Sequence, residues 1–256
     1  MVTWKFRDIN CNNHEEPGMN AFLFSDLHGS LTMLKKIELF LLERQDIGLL
    51  VFVGDFLNSG RPVSFVLELI KFLKKVDKDF VWVSGNNDFG DGFDILNEIY
   101  PCLDGRERKV AKHRFVGIGG SPIRWEGESD PLGEIQPDSI GGSILLWHYP
   151  PPGRLKYFSA DSLSPAPLSA EKPKTQIPKP KDPEKQSSAL GFGAFGFSGT
   201  SRLAHSPLAH ICGHLHSRAG IAYVGGTKIV KLGGAVLDHY AIMNVENLKI
   251  EFGRLK

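Results

Sequence analysis

Five short stretches of the chain place side chains suited to metal and phosphate chemistry directly after apolar runs: Asp26-Leu27-His28, Gly54-Asp55, Gly85-Asn86-Asn87-Asp88, His148, and Gly213-His214-Leu215-His216. In an extended chain, residues two apart point the same way, so Asp26 and His28, like His214 and His216, would each face one spot. Oxygen and imidazole donors without thiolate suit Mn, Fe, Zn, Ni or Mg. The seven donors Asp26, His28, Asp55, Asn86, His148, His214 and His216 are too many for one tetrahedral site. They are about right for two adjacent ions that share a carboxylate.

The elements that would carry these residues alternate through the first hundred positions. AFLFSD, GLLVFVGD and FVWVSGNND read as strands, and LTMLKKIELFLLERQ and PVSFVLELIKFLKKV as amphipathic helices between them. Short apolar strands separated by such helices argue for βαβ crossovers and a parallel sheet. Further on, DILNEIY reads as a short helix and HRFVGIGG and GSILLWHYP as strands. From about residue 208 the pattern changes to short strands joined by turn signals, hairpin-connected in part.

Residues 153–200 differ from the rest. SLSPAPLSAEKPKTQIPKPKDPEKQSS is rich in Pro, Lys and Ser and nearly free of large apolar side chains, so it cannot bury enough surface to offset the entropy of ordering. The adjoining GFGAFGFSG alternates Gly with Phe. Residues 1–256 are therefore expected to form one domain with a flexible insertion at 153–200. Thirty basic and 29 acidic residues give a formal net charge of +1, which offers no electrostatic footprint for nucleic acid. Cys11, Cys102 and Cys212 lie far apart and are odd in number, so neither a disulfide framework nor a thiolate zinc site is expected. No apolar run approaches the roughly 20 residues of a membrane span, and the amino-terminal stretch has no apolar signal core. A soluble, cytoplasmic protein is the expectation.

Taken in order, the five stretches resemble the calcineurin-like metallophosphoesterases, whose pattern runs D-x-H, G-D, G-N-H-[DE], H and G-H-x-H. The resemblance spans residues from about 20 to 245. It implies an α/β fold, a two-sheet β-sandwich flanked by helices in four layers, αββα. It also implies two divalent ions, with Mn favoured. Asp26, His28, Asp55 and His216 would hold one and Asp55, Asn86, His148 and His214 the other, with Asp55 bridging. A hydroxide between the ions would attack phosphorus in line. The substrate would be a small or nucleotide-like phosphate ester.

One position departs from the pattern. Where much of the family has a histidine that stabilises the transition state or protonates the leaving group, this chain has Asn87. An amide can donate a hydrogen bond to a phosphoryl oxygen but cannot deliver a proton near neutral pH. General-acid help is worth roughly 10² to 10⁴ in rate where it operates. Asn87, Asp88 and His28 are thus the residues expected to act on substrate, and a phosphodiesterase is expected over a monoesterase. The competing expectation is a metal-binding scaffold of the same fold with little catalysis, docking through the Phe-rich insertion. Tyr149, Arg124 and Arg61 could reach substrate. His14, His113, His205, His210 and His239 read as surface or supporting residues.

Overall fold

The computed structural model describes residues 19–58, 63–120, 140–151 and 206–256. The insertion expected at 153–200, along with Arg61, Arg124, His14 and His205, lies outside them. Two mixed sheets face each other. In the first, β1 (Asn20–Phe24), β2 (Ile47–Val53) and β3 (Asp79–Val83) run parallel, joined by α1 (Leu31–Leu42) and α2 (Val63–Val76). β10 (His239–Asn244) pairs antiparallel with β1 and β11 (Ile250–Arg254) with β10, giving the order β11-β10-β1-β2-β3. In the second sheet, β5 (His113–Ile118), β6 (Ile144–Trp147), β7 (Ala209–Cys212) and β9 (Thr227–Lys231) are parallel. β4 (Glu107–Val110) and β8 (Gly220–Val224) close its edges antiparallel, in the order β4-β5-β6-β7-β9-β8.

Both faces of β1, β2 and β3 are buried, which is why these strands read as continuous apolar runs rather than alternating ones. The alternation is instead one of size. Ala21, Leu23, Leu49, Val51, Val53, Val81 and Val83 turn toward the second sheet and meet Phe115, Ile144, Leu146, Ile211 and Val230. Phe22, Phe24, Phe52, Phe80 and Trp82 turn the other way and pack under Ile37, Leu41, Val66, Leu69 and Leu73 of α1 and α2. Small aliphatic side chains fit the roughly 10 Å gap between facing sheets. The rings fill the wider gap under the helices, with Phe24 and Phe52 centroids 4.8 Å apart and Phe56 edge-on to Trp82 at 5.2 Å.

α3 (Asp91–Ile99) follows β3 and presses Leu96 into the helix-side core. α1, α2 and α3 cover the first sheet, and on the outer face of the second the helical residue Ile140 packs with Val116, Ile118, Leu145 and Trp147. No described helix is long and apolar enough to cross a membrane. The consequence for function is geometric. β1, β2 and β3 from one sheet and β6 and β7 from the other deliver their carboxyl ends, where parallel sheets present ligand sites, to one region.

Candidate metal centre

The loops that leave these strands are tied to one another by their backbones. Asp26 N–H donates to Gly54 O at 2.9 Å, and Leu27 N–H and His28 N–H both donate to Asp55 O at 2.8 and 3.0 Å. Gly213 N–H donates to His148 O at 2.9 Å, which joins the ends of β7 and β6. Asp26, His28, Asp55 and His214 all adopt left-handed backbone, with φ of 55°, 46°, 62° and 70°. That region is costly for side chains other than glycine, least so for Asp, Asn and His. Each such residue stores on the order of 1–3 kcal/mol, which surrounding structure must offset.

The motif glycines make the approach possible. A Cβ on Gly85 would lie 2.2 Å from Asp55 Oδ1 and 2.5 Å from Asp55 N. A Cβ on Gly54, at φ +78°, would lie 2.6 Å from His148 Nδ1. Loops from three strands therefore meet at a spacing that admits no side chain at these two positions.

Among the described residues two donor groups result, each with its ligand atoms within 4.8 Å of one another: Asp26, His28 and His216, and Asp26, Asp55 and His148. Asp26 Oδ1 lies 3.2 Å from His216 Nε2, 3.9 Å from His28 Nε2 and 3.9 Å from His148 Nε2. Asp55 Oδ2 lies 3.3 Å from His148 Nε2 and 3.8 Å from His28 Nε2. His28 Nε2 and His216 Nε2 face each other at 3.0 Å. The carboxylate common to both groups is thus Asp26, while Asp55, expected as the shared one, also lies between His28 and His148. Asn86 and His214 stand beside these groups. His214 sets its ring edge-on to His148 at 5.3 Å, and its backbone N–H donates to Asp26 Oδ2 at 3.2 Å.

Whether a cation fits can be judged from atoms with no partner. Asp26 and His148 are fully buried, and Asp26 Oδ1 and His148 Nε2 are without a hydrogen-bond partner. His148 Nδ1 lies 2.8 Å from Val53 O, and a carbonyl only accepts, so Nδ1 carries the proton. The lone pair of neutral His148 is then on Nε2, aimed at the carboxylates, the arrangement a ligating imidazole adopts. Ser25 Oγ donates to Asp26 Oδ2 at 2.6 Å and leaves Oδ1 for the centre. A buried, negatively charged spot that faces the His148 lone pair, with the Nε2 atoms of His28 and His216 beside it, fits a divalent ion.

The electrostatics agree. Burial would raise the Asp55 carboxyl, but His148 and two donors from Asn87 outweigh it and hold it at about 2. Burial would lower His148, yet the facing Asp55 and Asp26 carboxylates reverse this and raise it. Asp26 likewise raises His216. His214 is lowered, first by burial and then by neighbouring His148. The two carboxylates call for positive charge between them, and a metal ion competes with protons for the same lone pairs.

Asp88 and Asn87 face inward. Asp88 is buried and accepts from Asp55 N–H, Leu57 N–H and Gly85 N–H at 2.7, 2.8 and 2.9 Å, lacing the β2 loop to the β3 loop. Burial outweighs those bonds and pushes its carboxyl up to about 7. Asn87 donates to Asp55 from both its backbone and its side chain. Two residues gain importance that their sequence positions barely signal. Tyr149 Oη donates to Asn86 Oδ1 at 3.1 Å. Lys231, a buried lysine on β9, donates to the carbonyls of Leu215 and Arg218 in the loop that carries His214 and His216. Its only sequence signal is a charge on the strand face shared with buried Thr227 and Ile229.

A two-sheet sandwich whose parallel strand ends gather carboxylates and imidazoles defines an α/β fold with a candidate metal site. The chain belongs to the calcineurin-like phosphoesterase family, whose sequence model matches residues 19–218. The protein TT1561 of Thermus thermophilus is similar in structure at 14% identity, with a TM-score of 0.61, 93% of this chain covered and 100% of that one. A dimetal phosphatase from Danio rerio is similar at 12% identity, with a TM-score of 0.54, 94% of this chain covered and 100% of that one. At these identities the likeness is one of fold. No curated protein sequence matches the chain significantly.

Proposed function

We propose that the protein is a dinuclear metal-dependent phosphoesterase, and a phosphodiesterase acting on a small or nucleotide-like ester. In this reading Asp26, His28, Asp55 and His216 hold one ion, and Asp55, Asn86, His148 and His214 hold the other. The observation that carries it is the pair of buried, unpartnered atoms Asp26 Oδ1 and His148 Nε2, 3.9 Å apart. Leaving such groups without a partner costs about 1–3 kcal/mol each, more when charged, and a cation between them supplies it. When bound, the ions supply Lewis acidity toward the phosphoryl group and lower the pKa of a water. The donor set, oxygen and imidazole, suits Mn2+, which is the ion to test first.

The chain's own residues favour a diester. Asn87 occupies the place where a histidine would deliver a proton, and an amide has none to give. Asp88 cannot take over, because its carboxylate is buried under three backbone N–H groups. Leaving groups that depart without a proton are then preferred. Protein purified without chelator should carry close to two metal equivalents and hydrolyse bis-p-nitrophenyl phosphate faster than p-nitrophenyl phosphate. Asp55→Ala should lose both metal and activity. Wild-type protein with neither metal nor hydrolysis would overturn the reading in favour of a scaffold.

A further inference from the structure

We propose that Tyr149 is a positioning residue for one half of the metal centre, holding Asn86 and His214 in the places from which they ligate. The inference rests on the ligand assignment proposed above. Tyr149 follows His148 at the end of β6, and its side chain meets donors from three different strand ends. Its hydroxyl donates to Asn86 Oδ1 at 3.1 Å, in the loop after β3. Its ring lies on the His214 imidazole with centroids 4.4 Å apart and planes at 39°, in the loop after β7. It also stands edge-on to His148 at 5.4 Å and 84°. These three are the donors assigned to one ion in addition to the shared Asp55.

The two ligands it holds most closely are the ones that need help. Asn86 is neutral and only half-buried, so no ionic attraction fixes its amide, and its terminal torsion is broad and roughly two-fold. A carbonyl oxygen has two lone pairs, so Oδ1 can accept from the phenol with one and face the centre with the other. His214 is half-buried and sits on left-handed backbone at φ 70°. A ring laid on its imidazole fixes the ring plane. The other half of the centre has a different support, since His28 and His216 face each other and Asp26. Partners that orient ligands in this way typically contribute 10- to 100-fold in metal affinity, and here the contribution falls on one ion.

The test is titration of metal-free protein with Mn2+ by calorimetry, with electron paramagnetic resonance to separate a spin-coupled pair from a single ion. Tyr149→Phe removes only the hydroxyl and should weaken one of the two binding events about 10-fold, leaving the other at its wild-type value. Tyr149→Ala removes the ring as well and should weaken the same event by up to about 100-fold, so that one equivalent of Mn2+ gives an uncoupled signal. A purely structural tyrosine would lower the melting temperature of the metal-free protein without splitting the two events. Unchanged affinities in both variants, or equal weakening of both events, would overturn the role of Tyr149 while leaving the two-ion reading in place. Wild-type protein that takes up no second ion would overturn both, before any variant is compared.

Discussion

Asn87 holds Asp55 at both carboxylate oxygens: its backbone N–H donates to Oδ1 at 2.8 Å and its side-chain amide donates to Oδ2 at 2.7 Å. The residue that departs from the family pattern thus acts on the centre through a proposed ligand carboxylate. Two donors on one carboxylate stabilise its charged form and fix its plane. An imidazole at the same position would have its ring to aim elsewhere and a proton to give.

Asn87→His should therefore trade one function for another. Turnover of monoesters and of diesters with alkoxide leaving groups should rise, by up to the roughly 10² to 10⁴ that positioned general acids supply, with aryl diesters changed little. Affinity for metal should fall modestly, because Asp55 keeps the backbone donor and loses the side-chain one. Parallel kinetics on three ester classes and a chelator competition would check both halves. A uniform change across all three classes would count against the assignment of Asn87 to the acid position.

The crowding at Gly85 makes a second prediction. Gly85→Ala places a methyl group about where Asp55 Oδ1 now lies, 2.2 Å away, and one loop must move. Overpacking of this kind costs about 1–3 kcal/mol, and here the displaced atom belongs to a proposed ligand. Gly142→Ala is the control, since its φ of +67° strains the backbone but its Cβ meets nothing within 4 Å. Metal analysis should find the Gly85 variant depleted and the Gly142 variant loaded, even if both melt earlier.

His210 sets a pH dependence of stability apart from the ligands. It is buried on β7, stacked on Trp147 at 5.8 Å and 13°, with Nε2 unpartnered. Burial lowers its pKa from 6.5 to about 4 against the smaller pull of the Trp147 and Tyr149 backbones. The unfolded chain therefore binds a proton between these values that the folded chain refuses, and stability falls as pH drops from 6.5 toward 4. The loss is on the order of 3 kcal/mol. His210→Phe keeps a ring on Trp147 and should flatten that part of the profile. Urea denaturation in chelator at pH 7.5 and 5 would show it, and equal pH slopes in the two proteins would refute it.

Much of this arrangement is legible in the chain because it is local. Asp26 and His28 declare themselves by residue type just past a strand end, although left-handed backbone at φ 55° and 46°, not the extended chain that two-residue spacing supposes, brings them to one spot. The three βα repeats declare the parallel sheet that aligns Asp26, Asp55 and Asn86. β4 escapes a reading of apolar runs because Glu-Arg-Lys-Val is an edge strand that buries little. α1 stops at Leu42, short of the apolar-periodic reach to Gln45, where the chain tightens with Arg44 N–H donating to Leu41 O at 3.2 Å and the Arg44 side chain paired with Asp46 at 2.7 Å. The inward turn of Asn87 and Asp88 depends on how closely the β2 and β3 loops approach, a tertiary distance no spacing encodes. Tyr149 and Lys231 act across strands far apart in sequence, and neither belongs to a motif.

Lys231 carries the last prediction. Its ammonium is buried at 1% exposure and donates to the carbonyls of Leu215, Arg218 and, at 3.5 Å, Leu232. The first two lie within and just beyond the His214-Leu215-His216 turn, whose backbone is also tied by His214 N–H to Asp26 Oδ2, Leu215 N–H to Gly213 O and Gly234 N–H to His216 O. Desolvation lowers the lysine pKa, so the charge is retained at a cost that the carbonyls offset. Lys231→Met keeps the apolar stem and strands those oxygens, at about 1–3 kcal/mol for each one left buried. If the lysine served the core alone, metal-free and Mn2+-loaded protein would lose the same stability. Because it holds the turn that presents two proposed ligands, the gain on adding Mn2+, which grows with the ratio of free metal to Kd, should shrink as well. Guanidinium denaturation of both proteins with and without Mn2+ would decide it, and an undiminished metal increment in Lys231→Met would show that the histidine turn keeps its shape unaided.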